Sequence, residues 1–294
     1  MTLTKCILRD KKLFVFDMDG TVYLGNRVFP FAVHFIKTLR ENGKKVLFFT
    51  NNSSHSSEFY LEKLQRMGFE PRKEEMMTSG DVTAEFLLRH RQGKSVYLLG
   101  TPDLTTDFEK KGIVLLDGTE EKCDVVVTGF DTTLTYEKLS RACRFIRGGA
   151  EYFATHPDFN CPTETGFIPD SGAIAAFITA STGVSPTYFG KPCPKTLEMI
   201  VEATGIKKED LVFFGDRLYT DIAIGKQGGA AAVLVLTGEA TMQDAERAEE
   251  KDRPDMIFPS LREVEEAVRR RIKRVCHRVL PGCPVSDKRT TFSP

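Results

Sequence analysis

The sequence predicts an α/β protein built on an open parallel sheet. Apolar runs of strand length alternate along the chain with longer stretches whose apolar residues recur at helical spacing, the pattern of α/β layers. Ligands of open parallel sheets bind just outside the carboxyl ends of the strands, so polar residues at several strand ends indicate one shared site. Such residues follow four predicted strands: Asp17 and Asp19, Thr50 and Asn51, Lys191, and Asp216 with Asp221.

Short apolar runs bounded by glycine, proline or polar residues predict the strands, and apolar residues spaced three or four apart predict the helices. At the helix expected from residue 101, Thr101 followed by Pro102 is typical of an N-cap with proline in the first turn. Residues 156–172 are rich in proline, glycine and aspartate, which predicts a long loop. The strands are predicted at 14–16, 45–49, 95–100, 113–116, 124–128, 152–155, 187–189, 211–214 and 231–236. The other helices are predicted at 31–42, 58–67, 81–91, 136–146, 173–181, 196–204, 220–227 and 261–276.

Composition excludes several classes of protein. The 294 residues carry a formal net charge of zero, which gives no argument for a nucleic-acid or membrane partner. Seven scattered cysteines with no CxxC pair indicate reduced thiols and a cytoplasmic protein rather than a disulfide framework. The charged first residues do not read as a signal peptide, and no apolar run reaches the length of a membrane span. No GxGxxG or GxxxxGK[ST] motif supports a dinucleotide or P-loop site.

The residues at the strand ends fit a phosphoryl-transfer site, where catalysis consists mainly of positioning and charge stabilisation. Asp17 and Asp19 alternate along a strand and therefore point the same way. Asp17 could attack phosphorus and form an aspartyl phosphate, while Asp19 could protonate the leaving oxygen and later activate water. Asp216 together with Asp17 supplies the oxygen ligands that Mg²⁺ prefers.

Three further residues would complete the binding of phosphate. Lys191 would add positive charge, Thr50 a hydroxyl and Asn51 a backbone N–H to the phosphoryl oxygens. Each residue also has a structural interpretation when it is taken alone. Thr50 and Asn51 would suit a capping turn, Lys191 an ordinary surface position, and Asp216 a turn.

Several motifs together resemble those of haloacid dehalogenase superfamily phosphatases, in the same order and at strand ends. The GKP and GDRxxTD forms are similar to the subfamily of NagD-like and 4-nitrophenyl phosphatase-like enzymes, and ATHPD at 154–158 is similar to that subfamily's ATNPD. The resemblance covers about residues 12 to 270. The motifs are FDMDGT at 16–21, TNNS at 50–53, GKP at 190–192, and GDR at 215–217 followed by Thr220 and Asp221.

The resemblance implies a Rossmann-like, doubly wound parallel-sheet core with a large α/β cap of the C2 type inserted between the second and third motifs. That division places the core at residues 1–81 and 184–276 and the cap at 82–183. The polar composition of the last residues predicts a disordered tail at 277–294. The resemblance also implies Mg²⁺ held by Asp17, Asp216 and the backbone carbonyl of Asp19, with Asp221 steadying the site. His156 stands where relatives often have asparagine, and Asp170 stands where small residues are common.

The function expected is a Mg²⁺-dependent phosphomonoesterase acting on small phosphorylated metabolites such as sugar phosphates or nucleoside monophosphates. Substrate contacts are predicted for Asn51, Asn52, His156 and Asp158. Two alternatives stay open: a phosphotransferase or phosphomutase that uses the same aspartyl phosphate, and a non-catalytic sensor of small molecules. The expected partner is a small phosphate ester, without nucleic acid or membrane, and a homodimer is left open.

Overall fold

The computed structural model describes residues 8–163 and 165–276. Most of the described chain forms short strands alternating with helices, as predicted. The strands are β1 (Leu13–Phe16), β2 (Tyr23–Leu24), β3 (Arg27–Val28), β4 (Lys45–Thr50), β5 (Met76–Thr78), β6 (Val96–Leu99), β7 (Val125–Thr128), β8 (Glu151–Ala154), β9 (Asn160–Thr163), β10 (Gly166–Pro169), β11 (Thr187–Tyr188), β12 (Leu211–Gly215), β13 (Ala231–Val235) and β14 (Met256–Phe258). The helices are α1 (Pro30–Glu41), α2 (Ser57–Arg66), α3 (Ser79–His90), α4 (Pro102–Lys110), α5 (Tyr136–Arg147), α6 (Ser171–Thr182), α7 (Pro194–Thr204), α8 (Ala223–Gly228), α9 (Met242–Arg247) and α10 (Leu261–Cys276).

The main sheet joins six of the described strands in the order β14–β13–β12–β1–β4–β5, and every pair in it is parallel. The chain runs outward from β1 in one direction and, after the middle segment, outward from β12 in the other. This is the strand order of a classical doubly wound fold, whose ligand crevice lies where the order reverses. The strand order reverses between β1, from which the chain continues outward to β4, and its neighbour β12. The predicted fold class is therefore confirmed.

A second sheet of four described strands, in the order β11–β8–β7–β6, is built by the middle of the chain. These strands also pair in parallel, and helices separate them along the chain. The division into core and cap at residues 82 and 183 stays a prediction. The second sheet runs past residue 183, because Thr187 pairs with Phe153.

Buried aromatic rings hold the centre of the main sheet to its helices. Phe16 of β1 stacks on Phe214 of β12 at 4.8 Å between ring centroids, and Phe35 of α1 meets Phe16 edge-on at 6.0 Å. All four residues of β1 are buried, as expected for a central parallel strand covered on both faces. The strand end that carries Asp17 is therefore anchored in a rigid part of the core.

The two sheets share one apolar cluster rather than facing each other across a polar gap. Phe86 of α3 lies 5.5 Å from Phe153 of β8 and 5.0 Å from Phe189, measured between ring centroids. The same cluster includes Leu13 and Val15 of β1. Since buried aromatic side chains dominate packing energies, this cluster stabilises the placement of the second sheet beside the strand ends of the first.

The predicted loop at 156–172 and the predicted strand at 113–116 are both wrong. The loop contains the antiparallel hairpin of β9 and β10, whose residues are mostly exposed and therefore show no alternation of apolar and polar residues. In the predicted strand only Leu115 forms an isolated bridge, with Val96. The edge strands β5 and β14 were not predicted because three residues are too few to show a pattern.

Two other expectations concern helices. The predicted helix at 220–227 begins as a π-helical turn, Leu218–Ile222, before α8. No helix in the described part of the chain is long and apolar enough to cross a membrane. The disordered tail predicted at 277–294 lies outside the described residues.

Candidate active site

A cavity of about 180 Å³ opens at the carboxyl ends of β1 and β4, beside the reversal of strand order between β1 and β12. Asp17 and Asp19 both line it, which agrees with their predicted common direction. Thr50 lines it from the end of β4. The structure thus brings the first two predicted motifs together at the switch point of the sheet.

Lys191 reaches this cavity from the second sheet, not from the main one. The strand before it, β11, pairs with β8, so the expectation that all four polar clusters follow strands of one sheet is wrong. The Nζ atom of Lys191 nevertheless lies 2.5 Å from Oδ1 of Asp17 and 2.7 Å from Oδ1 of Asp221. With only 3% of its surface exposed, Lys191 is a buried cation held between two carboxylates, and not an ordinary surface lysine.

Asn51 holds the backbone of Lys191 in place. Its Nδ2 atom donates to the Lys191 carbonyl at 2.9 Å, and its Oδ1 atom accepts from the Lys191 N–H at 2.7 Å. The neighbouring Gly190 has a φ of +72°, and a Cβ built there would lie 2.9 Å from Oδ1 of Asn51. Glycine is therefore needed for this close approach, and Asn51 acts through its side chain on Lys191.

Burial raises the pKa of two carboxyl groups of the cluster. Desolvation, together with the charges of Asp221 and Asp216, raises the pKa of Asp17 to about 8, although the ammonium of Lys191 opposes this shift. Desolvation and the charge of Asp221 raise the pKa of Asp216 to about 7. The cluster therefore has more carboxylates than its one buried ammonium can neutralise.

The arrangement fits a divalent cation. Carboxylate oxygens of Asp17, Asp216 and Asp221 lie within 4.8 Å of one another. Oδ1 of Asp216 is buried and has no hydrogen-bond partner among the described residues, so it is free to bind a metal. Both oxygens of Asp221 already accept protein hydrogen bonds, from Lys191 and from the N–H of Arg217 at 3.1 Å. Oxygen ligands of this kind suit Mg²⁺ or Ca²⁺.

Two glycines make room for Asp216. A Cβ at Gly20 would lie 2.4 Å from its Oδ2 atom, and one at Gly238 would lie 2.0 Å from the same atom. Gly20 also has a φ of +83°, which disfavours other residues. The N–H of Glu239 donates to this Oδ2 atom at 2.7 Å, which orients the carboxyl group and leaves Oδ1 pointing elsewhere.

The other residues predicted to contact the substrate divide into those that line the cavity and one that does not. Asn52 and Asp158 line the cavity, as substrate-binding residues must. Asp158 also accepts from Nδ2 of Asn51 at 3.1 Å. His156, in contrast, is completely buried and does not line the cavity, so the prediction that it contacts substrate directly is wrong. A histidine at this point of a polar loop could not be distinguished from a ligand-binding one without knowing what packs over it.

His156 links two segments behind the cavity wall. Its Nε2 atom lies 2.8 Å from Oδ1 of Asp170, the N-cap of α6, and its Nδ1 atom lies 3.2 Å from Oγ of Ser79. Ser79 donates its own hydroxyl proton to the carbonyl of Asn51. Nδ1 also lies 3.1 Å from Oγ1 of Thr155, so this nitrogen can donate to Ser79 or accept from Thr155, while the Asp170 carboxylate accepts from Nε2. Burial lowers the pKa of His156, but Asp170 outweighs this effect and the net direction is upward.

Several residues that line the cavity were not predicted from sequence. Arg217 directly follows Asp216 within a quoted motif, and its position there was the available signal. Tyr60 and Lys63 are three residues apart and therefore share one face of α2. Only the packing of the helix reveals that this face lines the cavity. The unpredicted lining residues of this cavity are Tyr23, Tyr60, Lys63, Cys161, Pro162, Asp170, Arg217 and Thr220.

Known proteins resemble both the sequence and the fold. Family models match residues 14–114, as a haloacid dehalogenase-like hydrolase, and residues 188–264, as HAD-hydrolase-like. An acid sugar phosphatase of Staphylococcus aureus is 37% identical over 239 residues, which cover 81% of this chain and 92% of the relative.

Solved structures with similar folds include two phosphatases. A 4-nitrophenylphosphatase from Thermotoga maritima superposes with a TM-score of 0.84 and 46% identity, covering 90% of this chain and 99% of the other. A glycerol phosphate phosphatase from Mycobacterium tuberculosis, in complex with calcium, superposes with a TM-score of 0.81 and 31% identity. That match covers 88% of this chain and 76% of the other.

Binding of Mg²⁺ should weaken as the pH falls. The cation must displace the protons that Asp17 and Asp216 hold below their raised pKa values of about 8 and about 7. We expect the affinity at about pH 6 to be at least tenfold weaker than at about pH 8.5. Isothermal titration calorimetry of the wild type measures it, with Asp216→Asn as the control that should bind weakly at both pH values. Equal wild-type affinities would contradict the assignment of these carboxylates.

Replacing His156 by leucine should lower the free energy of unfolding at about pH 6 by about 3 kcal/mol, because Asp170 loses its buried cationic partner. His156→Asn keeps a donor and should lose less. Since the folded pKa of His156 is raised, its contribution is complete below its unfolded pKa and declines as the pH rises through the folded pKa. Urea unfolding at several pH values tests this. An unchanged stability of His156→Leu would show that the pair does not stabilise the fold.

Proposed function

The chain belongs to the haloacid dehalogenase-like hydrolases and is a phosphatase of that family, and on this premise we propose that it hydrolyses small phosphate monoesters with Mg²⁺ through an aspartyl phosphate on Asp17. The observation that carries the proposal is the contact of one Asp17 oxygen with the buried ammonium of Lys191. That contact holds the carboxylate in the cavity and leaves its other oxygen without a protein partner among the hydrogen bonds of the described residues.

Asp17 is the proposed nucleophile. Its free oxygen would attack phosphorus while the bond to the leaving oxygen breaks, and water would then cleave the aspartyl phosphate to release inorganic phosphate. A carboxylate approaching a phosphate dianion is repelled unless positive charge is nearby. Lys191 supplies such a charge next to the attacking group, and Thr50 offers its hydroxyl to the phosphoryl oxygens from the end of β4.

Asp19 is the proposed general acid and base. It lines the same cavity two residues beyond the nucleophile, and its Oδ1 atom takes only a long contact of 3.4 Å from the N–H of Gly25. Its carboxyl group is thus free to give a proton to the leaving oxygen and then to remove one from the attacking water. Asp19 loses a proton in the first step and gains one in the second, so its carboxyl group returns to its starting protonation state.

Mg²⁺ is the proposed cofactor, with Asp17, Asp216 and the backbone carbonyl of Asp19 as ligands and Asp221 steadying the site through Lys191. The buried carboxylates would repel a negatively charged phosphoryl group, and a bound cation would neutralise that charge. The unpartnered Oδ1 atom of Asp216 supports this proposal. Asn51, Asn52 and Asp158 are proposed to contact the substrate, since all three line the cavity.

The proposed substrates are small phosphorylated metabolites, of which sugar phosphates agree with the name of the Staphylococcus aureus relative. We place the protein in the cytoplasm because the cysteines at 123, 143, 161 and 193 are unpaired thiols. The same aspartyl phosphate could pass to an acceptor other than water, but no contact in the described structure favours an acceptor site. We therefore propose hydrolysis alone.

Asp17→Asn should reduce phosphate release by at least about a thousandfold, because the amide is not a nucleophile of this kind. The fold should persist, since the exchange keeps the shape of the side chain. Phosphate release from 4-nitrophenyl phosphate, with Mg²⁺ or with EDTA, measures the loss beside a thermal melt. The exposed Asp10→Asn serves as the matched control and should keep full activity. Normal turnover in Asp17→Asn would exclude Asp17 as the nucleophile.

Asp19→Asn should affect substrates according to their leaving groups. An alkoxide leaves poorly without a proton, whereas nitrophenolate leaves easily, so general acid catalysis matters more for alkyl esters. We expect kcat for an alkyl phosphate to fall at least about tenfold further than kcat for 4-nitrophenyl phosphate. Steady-state kinetics on the two esters provide the test. An equal loss on both would assign Asp19 a role other than leaving-group protonation.

A further inference from the structure

The cationic side chains that line the cavity differ in whether they form ion pairs. Lys191 is held by Asp17 and Asp221, and the Nε atom of Arg217 lies 3.0 Å from Oε2 of Glu239. Lys63, on α2, has no ion pair among the described residues, although it faces the same cavity. It is the one lysine or arginine of the lining that forms no ion pair with a carboxylate of the described chain.

Lys63 is nevertheless held in a defined place. Its Nζ atom lies 4.0 Å from the centroid of the Tyr23 ring, at cation–π distance. Desolvation lowers the pKa of Lys63, while the nearby charge of Asp19 raises it. The ammonium is therefore partly stripped of water, close to the proposed general acid, and available to an anion in the cavity.

Two tyrosines beside Lys63 have unused hydroxyl groups. Tyr23 and Tyr60 are 2% and 6% exposed, and both line the cavity. Neither phenolic oxygen forms a hydrogen bond within the described residues, whereas buried tyrosines usually find a partner. Burial, with smaller contributions from nearby acidic groups that include Asp19 and Asp17, raises the pKa of Tyr60, so its hydroxyl stays protonated and is a donor in the cavity.

Two acidic residues of the lining are already engaged: Asp170 pairs with His156 at 2.8 Å, and Asp158 accepts from Asn51 at 3.1 Å. The ammonium of Lys63 and the hydroxyls of the two tyrosines, in contrast, are three donors to which no described residue offers a hydrogen-bond acceptor. A neutral polyol would need acceptors as well as donors, whereas an oxyanion needs only donors.

We propose that Lys63, Tyr23 and Tyr60 form a subsite for a second oxyanion on the leaving group, so that the preferred substrates are phosphate esters that also carry a carboxylate or a second phosphate. This inference rests on the proposed phosphatase function of the same cavity. Lys63 would form a charge-assisted bond to the second anion, and the two hydroxyls would orient it. Tyr23 and Tyr60 are then specificity-determining residues rather than part of the reacting group.

The test compares phosphate esters that differ only in the group recognised. The probes are 3-phosphoglycerate, which carries a carboxylate, and glycerol 3-phosphate, which carries a hydroxymethyl group in its place. Fructose 1,6-bisphosphate compared with fructose 6-phosphate extends the test to a second phosphate and distinguishes the two anions. In the wild type we expect kcat/KM to be at least about tenfold higher for 3-phosphoglycerate than for glycerol 3-phosphate, mainly through KM.

Lys63→Met keeps the apolar stem and removes the charge. It should lower kcat/KM for the anionic esters by about tenfold while changing that for glycerol 3-phosphate by less than about twofold. Tyr60→Phe, which removes one hydroxyl, should cause a smaller loss in the same direction. The exposed Lys37→Met is the matched control and should change neither.

The results of these assays test the subsite and the phosphatase function separately. Preference for an anionic ester that disappears in Lys63→Met supports the subsite, and the ester that shows it identifies the anion. Equal wild-type rates on neutral and anionic esters, or equal losses on both in Lys63→Met, would overturn the subsite while leaving the phosphatase proposal intact. Failure of the wild type to hydrolyse any ester, 4-nitrophenyl phosphate included, would overturn the proposed function and the subsite with it.

Discussion

The ion pair between Lys191 and Asp17 is the contact on which the rest of the site depends. It joins two chain segments that are 174 residues apart, and it crosses from the second sheet to the end of β1. Because Lys191 is almost fully buried, its charge must be matched within the protein, and Asp221 supplies the second carboxylate. Removing the ammonium of Lys191 would cost about 3 kcal/mol or more, since it would leave the carboxylates of Asp17 and Asp221 without their cation.

Much of the surrounding structure serves to hold that lysine. Asn51 binds its backbone on both sides, and the Asn51 carbonyl accepts from Ser79. Ser79 in turn lies at hydrogen-bonding distance, 3.2 Å, from Nδ1 of the buried His156 ring. A chain of hydrogen bonds therefore connects the N-cap of α6 to the nucleophile, although His156 never touches the cavity. Residues so arranged stabilise the geometry in which a carboxylate and a phosphate can meet, which is the main requirement of phosphoryl transfer.

A site residue can be predicted from the sequence when its neighbours in the chain determine its position, and not when distant segments do. Asp17 and Asp19 follow an apolar strand directly, and the alternation of strand side chains is enough to place them together. Lys191 could be expected at the site only by its motif, because its strand belongs to the other sheet. His156 illustrates the opposite limit, since its burial depends on Asp170, fourteen residues later, and on the packing of α6. The hairpin that contains Asn160 was missed because exposed strands carry no apolar pattern, and Lys63 because nothing in a helix sequence tells which neighbour its polar face meets.

The measurement that tests the central claim most directly is chemical trapping of the intermediate on Asp17. The protein would be quenched during turnover of a phosphate ester with Mg²⁺ and treated with borohydride, which reduces an aspartyl phosphate to homoserine. Peptide mass spectrometry then locates the modified residue. Our account predicts homoserine at position 17 and at no other aspartate, and its loss when the substrate is omitted. Continued phosphate release without homoserine at position 17, or with homoserine at a different aspartate, would contradict it.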